Sequence, residues 1–180
     1  MPELPQINKD QLVLAKKGDL KAISLIITTF EKAIFNHLYR LVGNKEDAAD
    51  LTQDTFFKVY KKRNLIDPEQ NFKAWLYKIA TNTAYDWFDQ KKGKISMSLD
   101  EEGALETIEQ NLPYYRIDRA EKIDLERALL RIKPQYQTVI FLFYQQGFSY
   151  DEIGNILNVP INSVKTLLYR AKKSLSEELQ

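Results

Sequence analysis

The chain reads as all-α, with two helical domains joined by an acidic linker, and three observations carry that reading. Apolar residues recur at i, i+3, i+4 and i+7 over several long stretches, while no stretch alternates apolar and polar residues as a half-buried strand would. Charge is segregated along the chain although the formal net charge is only +1. Gly93, Gly103, Pro113 and an acidic run interrupt the helical periodicity over residues 93–117. The expected organisation is therefore a helical bundle over 1–92, a flexible linker over 93–117 and a helix-turn-helix module over 118–180. A structureless loop of that length inside one compact domain would be unusual, which favours two domains.

Composition narrows the function classes. The 180 residues are 44% hydrophobic and 28% charged, ordinary for a soluble protein. No run of 18 apolar residues exists, so no membrane insertion is expected. The start, MPELPQINKD, has no basic segment followed by an apolar one, so no secretory signal is read and a reducing cytoplasm is the expected location. The chain has no cysteine, which excludes disulfides and thiolate metal sites, and its single histidine, His37, builds neither a zinc site nor a hydrolytic triad. No nucleophile, base and metal cluster is visible, so neither enzymatic activity nor a cofactor is expected.

In the N-terminal half, Leu20 to Val42 reads as a long helix after Gly18 and Asp19, and Gly43-Asn44 ends it before "KEDAADLTQDTFFKVYKK" begins another. In that second helix Ala48, Leu51, Thr55 and Val59 share the inward face and leave Asp50, Gln53 and Asp54 as a polar ridge. In "NFKAWLYKIATNTAYDWFDQKK", Asn71 is the expected cap, and Phe72, Trp75, Leu76, Ile79, Ala80, Thr83, Ala84, Trp87 and Phe88 form one apolar stripe. Opposite it lie Lys73, Tyr77, Lys78, Thr81, Asn82, Tyr85 and Asp86. Cations interleaved with aromatics suit a single nucleic-acid strand, whose bases stack while its phosphates are neutralised. Trp75 and Trp87, on the apolar stripe, read as core rather than as stacking platforms.

From Lys61 to Lys92 seven bases oppose four acids; from Asp100 to Glu126 nine acids oppose three bases; from Arg127 to Leu175 seven bases oppose two acids. Two basic modules thus flank an acidic middle. The last module opens with Leu125, Ala128, Leu129 and Ile132 as expected core positions, then Pro134 in the first turn of a helix running through Phe143, with Gly147 as its stop. "SYDEIGNILNVPINSVKTLLYRAKKSL" follows. Ser149 and Glu152 have capping-box spacing, Ile153, Ile156 and Leu157 point inward, and Asn158-Val159-Pro160 breaks the helix. In the final helix Val164, Leu168, Ala171 and Leu175 face the core. Asn162, Ser163, Lys165, Thr166, Tyr169, Arg170, Lys172 and Lys173 stay outside it. Short polar side chains at the helix start reach base edges and the cations behind them neutralise phosphates, as a major-groove helix requires. Helical hairpins that bind nothing share the same local pattern, so the motif alone does not decide.

The three stretches "DAADLTQDTFFKVY", "FKAWLYKIATNTAYDW" and "YDEIGNILNVPINSVKTLLYRAKKSL", in that order, resemble the successive signatures of sigma-70-family factors of the extracytoplasmic-function (ECF) group. The resemblance spans about Leu12 to Leu179 and implies a subunit with regions 2 and 4 only. Such a subunit joins bacterial core RNA polymerase, directs it to promoter DNA and helps open the duplex. By resemblance, Asp50, Gln53 and Asp54 would bind core polymerase. Lys73, Tyr77, Lys78, Asn82, Tyr85 and Asp86 would contact the −10 element, with Asn82, at the family's "NT" position, as base reader and the loop "NLIDPEQN" completing a pocket for a flipped base. Asn162, Ser163, Lys165, Thr166, Tyr169, Arg170 and Lys173 would contact the −35 element.

Leu167 stands where many relatives carry arginine, so promoter preference does not carry over. The acidic linker either mimics nucleic acid in the polymerase or is simply solvated. Many relatives are held by an anti-sigma factor; one acting here is expected to cover Asp50, Gln53 and Asp54 or the 162–173 face. Two other classes stay open: a free dimeric helix-turn-helix regulator, which predicts a stable homodimer, and an interaction adaptor, which predicts polymerase binding without promoter opening.

Overall fold

A computed structural model describes residues 7–92 and 125–179, apart from positions 126 and 130. The expected linker over 93–117 lies outside the described residues. Among the described residues every regular element is a helix.

The first helix, α1 (Lys9–Lys16), was not singled out from the sequence. Its signal is the Asn8 to Gln11 spacing: Asn8 Oδ1 accepts from the Gln11 N–H, and the Gln11 side chain accepts from the Asn8 N–H, a reciprocal cap on a short helix. Helix α2 (Leu20–Val42) matches the expected span, capped by Asp19 Oδ1 on the Ala22 N–H. Ile23, Ile26, Phe30, Ile34 and Leu38 are buried along one side of it. Asn44 caps α3 (Lys45–Lys61), accepting from the N–H groups of Glu46 and Asp47 at 2.8 and 3.1 Å. Because one side-chain oxygen serves two otherwise unpaired donors, Asn44→Ala is expected to cost about 1 kcal/mol in urea denaturation. A 3-10 turn (Arg63–Leu65) leads to α4 (Phe72–Lys92), which packs on α2 and α3. Asn71 caps it as expected, accepting from the Ala74 N–H.

In the second module Ala128 and Ile132 are buried, but Leu125, an expected core position, is 40% exposed. Pro134 begins α5 (Pro134–Ile140), and the chain then widens into a π turn (Phe141–Gln145) instead of continuing as α-helix to Phe143. The Gln146 N–H reaches back to the Phe141 carbonyl, and Gly147, at φ 72°, supplies the left-handed conformation that ends the turn. Helices α6 (Tyr150–Leu157) and α7 (Ile161–Glu178) complete the module. Ile153, Ile156, Leu157, Val164, Leu168 and Ala171 are buried as their spacing requires.

The two modules share one contiguous apolar core. Helix α6 lies against α4, and α5 lies against α2. His37 of α2, fully buried, stands where they meet: its ring is 5.0 Å from that of Tyr77 and 6.3 Å from that of Phe141 in the π turn.

Candidate nucleic-acid interface

The helix-turn-helix is built by three local constraints. Ser149 and Glu152 form the expected reciprocal cap, with Glu152 Oε2 accepting from both the backbone N–H and the hydroxyl of Ser149. Asn158 ends α6 in the left-handed conformation at φ 57°, which asparagine tolerates better than most residues. Gly154 lets the returning chain approach: a Cβ there would stand 2.9 Å from the Val159 carbonyl oxygen. The tight turn fixes α7 against α5 and α6 through Val164, Leu168 and Ala171.

This seating decides what α7 shows to solvent. Asn162, Lys165, Thr166, Tyr169, Arg170, Lys172 and Lys173 are exposed and Ser163 is half-buried. Tyr169 is 70% exposed. The Thr166 hydroxyl donates to the Asn162 carbonyl, one turn back on the same face. Leu167 is half-buried against the core, so the residue at the place of a relative's arginine packs rather than projects.

On α3, Ala48, Leu51, Thr55 and Val59 are buried, and Asp50, Gln53 and Asp54 are exposed side by side. Phe57, one turn further, is 56% exposed with the Lys61 ammonium 4.3 Å from its ring centre. It extends the polar ridge with an apolar contact that the charge pattern did not reveal; its signal was a phenylalanine at i+3 from Asp54 on the solvent side.

Helix α4 departs most from expectation. Tyr77 and Thr81 belong to the buried residues, not to an open polar face. For Tyr77 the reason is the second module; Thr81 turns instead towards His37 of α2. The Tyr77 hydroxyl donates to Gln146 Oε1 at 3.0 Å, and its ring meets Phe148 edge-on at 5.2 Å. The Thr81 hydroxyl is 2.9 Å from His37 Nε2. Lys73 Nζ donates to the Gln146 carbonyl at 2.9 Å and sits 5.0 Å from the Phe148 ring centre. Asn82 Oδ1 accepts from Asn158 Nδ2 at 2.8 Å, and the Asn71 amide donates to Glu152 Oε1. Of the other expected contacts, Lys78 and Tyr85 are half-buried and Asp86 is exposed, held by Lys58 at 2.8 Å. Trp75 and Trp87 pack partly buried against the core.

The electrostatics follow the burial. Burial pushes the Tyr77 hydroxyl well above its ordinary range, against the pull of the Arg40 charge, and pushes Tyr85 up to about 12. Burial also lowers the Lys73 ammonium, an effect opposed by the Glu152 charge. Burial works to raise Glu152, but hydrogen bonds from Ser149 and Asn71 and the charge of Lys73 outweigh it, and the carboxyl lies below its usual range. Among the described residues no group of three His, Asp or Glu side chains is placed to hold a metal ion. Among the same residues no helix is long and apolar enough to cross a membrane.

Two family profiles match the chain in the order of its modules: sigma-70 region 2 over residues 26–93 and sigma-70 region 4 over residues 122–175. Among curated proteins, the ECF RNA polymerase sigma factor SigW of Bacillus subtilis is 31% identical over 185 residues, covering 96% of each chain. The RNA polymerase sigma factor SigV of the same organism is 33% identical over 167 residues, covering 92% of this chain and 96% of its own. Among solved structures, the sigma factor RpoE of Bartonella quintana, in complex with the anti-sigma factor NepR, superposes with a TM-score of 0.64 at 24% identity over 89% of this chain and 98% of that one. CnrH, in complex with the cytosolic domain of CnrY, gives the same TM-score at 22% identity over 96% of both chains, a likeness of fold.

Proposed function

The chain belongs to the extracytoplasmic-function group of sigma-70-family sigma factors, and from that premise we propose that it binds bacterial core RNA polymerase and directs it to promoter DNA. The observation that carries this reading is α7, whose apolar residues are buried while Asn162, Lys165, Thr166, Tyr169, Arg170 and Lys173 are offered to solvent along one face. Polar residues at its N-terminal turn read base edges of a −35 element in the major groove, and the cations behind them neutralise phosphates.

The bundle over 1–92 supplies the other two contacts. Asp50, Gln53 and Asp54 form the polymerase-binding ridge. Lys73, Tyr77, Lys78, Asn82, Tyr85 and Asp86 take the −10 element as a separated strand: Asn82 pairs with a base edge, the tyrosines stack and the lysines hold phosphates. Unstacking a base costs a few kcal/mol, so a waiting pocket biases the duplex towards opening without any bond being made or broken. The protein is on this reading a non-enzymatic cytoplasmic factor with residues 93–117 as tether between the bundle and the 118–180 module. An anti-sigma factor acting on it would cover the α3 ridge or the α7 face and compete with core polymerase.

Run-off transcription from a genomic promoter library, with core polymerase and with or without the protein, tests the reading. New discrete starts preceded by two shared elements are expected. Arg170→Ala is expected to reduce them about ten-fold, the size of one lost contact in a specific site. Failure of the chain to bind core polymerase would sink the reading and leave a free helix-turn-helix regulator as the account.

A further inference from the structure

We propose that the second module is a built-in shutter: the turn after α5 and the end of α6 dock on Lys73, Tyr77 and Asn82 and withhold that face of α4 from a DNA strand, while α7 stays open to duplex. The inference rests on the reading of α4 as the strand-binding helix.

The contacts are those a strand would need. Asn82 Oδ1, the acceptor available to a base edge, is taken by Asn158 Nδ2. The Tyr77 ring, the aromatic available for stacking, is fully buried against Phe148. Lys73, the cation available to a phosphate, donates a hydrogen bond to the Gln146 carbonyl and feels the Glu152 charge. The module thus substitutes an amide, a ring, a carbonyl and a carboxylate for the base edge, base face and phosphate of a nucleic acid. The π turn makes this possible, because its wide closure brings both the carbonyl and the side chain of Gln146 to α4.

The docking is also built to release. Its rim consists of hydrogen bonds that water or nucleic acid can replace, as at transient interfaces between domains. At its centre His37 Nδ1 is buried without a hydrogen-bond partner, a group that separation would hydrate. The outward face of α7 stays exposed. The closed chain therefore keeps one DNA-reading surface and hides the other.

The native chain has no cysteine, so cysteines placed at the exposed positions Lys32 on α2 and Glu177 on α7 carry spin labels at unique sites. Distances between them are measured by electron–electron double resonance in the full chain, with and without the pair Asn158→Gly and Glu152→Gln. Glycine suits the left-handed position at 158, and glutamine keeps the cap at 152. A single narrow distance is expected for the parent and a longer, broader distribution for the variant. Binding of a fluorescent randomised 12-nucleotide single strand is expected to tighten about ten-fold in the variant, with a randomised duplex bound as before. Identical distance distributions in the two proteins overturn the shutter. A lengthened distance without gain in strand binding overturns it through the reading of α4, leaving the docking intact.

Discussion

Tyr77→Ala is expected to remove about 3–5 kcal/mol of folding stability, the range for emptying a buried aromatic site. Tyr77 is wholly buried and touches both modules: its ring contacts His37 of α2 and Phe148 beyond the π turn, and its hydroxyl bonds to Gln146. The alanine variant loses the packing on both sides at once, and the polar groups around the hole admit water only in part. Tyr77→Phe keeps the ring and is expected to cost about 1 kcal/mol, the net worth of one hydrogen bond. Gln146→Ala should cost a similar amount, and the double variant Tyr77→Phe with Gln146→Ala little more than either alone, since both remove the same bond. Urea denaturation read by fluorescence of Trp75 and Trp87, both on α4, and by far-UV ellipticity of the whole chain measures these costs. Because the modules share a core, the two probes should move together in the parent protein. An alanine variant within 1 kcal/mol of the phenylalanine one would mean that the ring is not packed between the modules.

Local signals carried most of the fold into the sequence. Asn71 and Ser149 each announce a helix start through a side chain that bonds within three residues, and each caps as expected; Asn44, read only as the end of α2, caps α3 in the same way. The faces of α3 and α7 were legible for a similar reason: Leu51 and Val59, or Val164 and Leu168, repeat at helical spacing on elements with one partnered side. Helix α4 has two. Its apolar stripe packs on α2 and α3, and its polar side is covered by α6 and by Gln146 and Phe148 just after the π turn. Lys73, Tyr77 and Asn82 look the same in sequence whether their partner is water, a nucleic acid or Gln146 and Asn158. Periodicity reports polarity, and polarity does not name the partner. The π turn escaped detection because "FLFYQQG" continues the apolar spacing of α5, and only the demand of docking selects the wider closure. His37 was set aside as a lone histidine, since its burial depends on residues 40 and 104 positions further along the chain.

Lowering the pH from 7.5 to 5 is expected to remove about 2 kcal/mol of stability through His37 alone. Burial first, and then the charge of Arg40, hold this imidazole at about 3, against an ordinary value of 6.5. The groups around the ring are Arg40 on its own helix, Tyr77 and Thr81 on α4, and Phe141 in the π turn, and none of them is a carboxylate that would welcome a proton. Between those two values the unfolded chain binds a proton that the folded chain refuses, so stability rises with pH. The full contribution is present above about 6.5, is lost as pH falls through that value, and levels off near 3. pH 5 lies about 1.5 units below the ordinary value of 6.5, and at about 1.36 kcal/mol for each unit this gives the 2 kcal/mol. Other titrating groups contribute too, so the quantity to measure is a difference. His37→Gln keeps an amide within reach of Thr81 and cannot titrate; its stability should fall less between pH 7.5 and 5 than that of the parent, by that same amount. Equal losses in the two proteins would mean that the ring reaches solvent in the folded chain. Because the Phe141 side of the ring belongs to the second module, undocking hydrates His37 in the same way as unfolding does. Acidification should therefore also populate the separated form, seen as a longer distance between labels at positions 32 and 177, and His37→Gln should abolish that response.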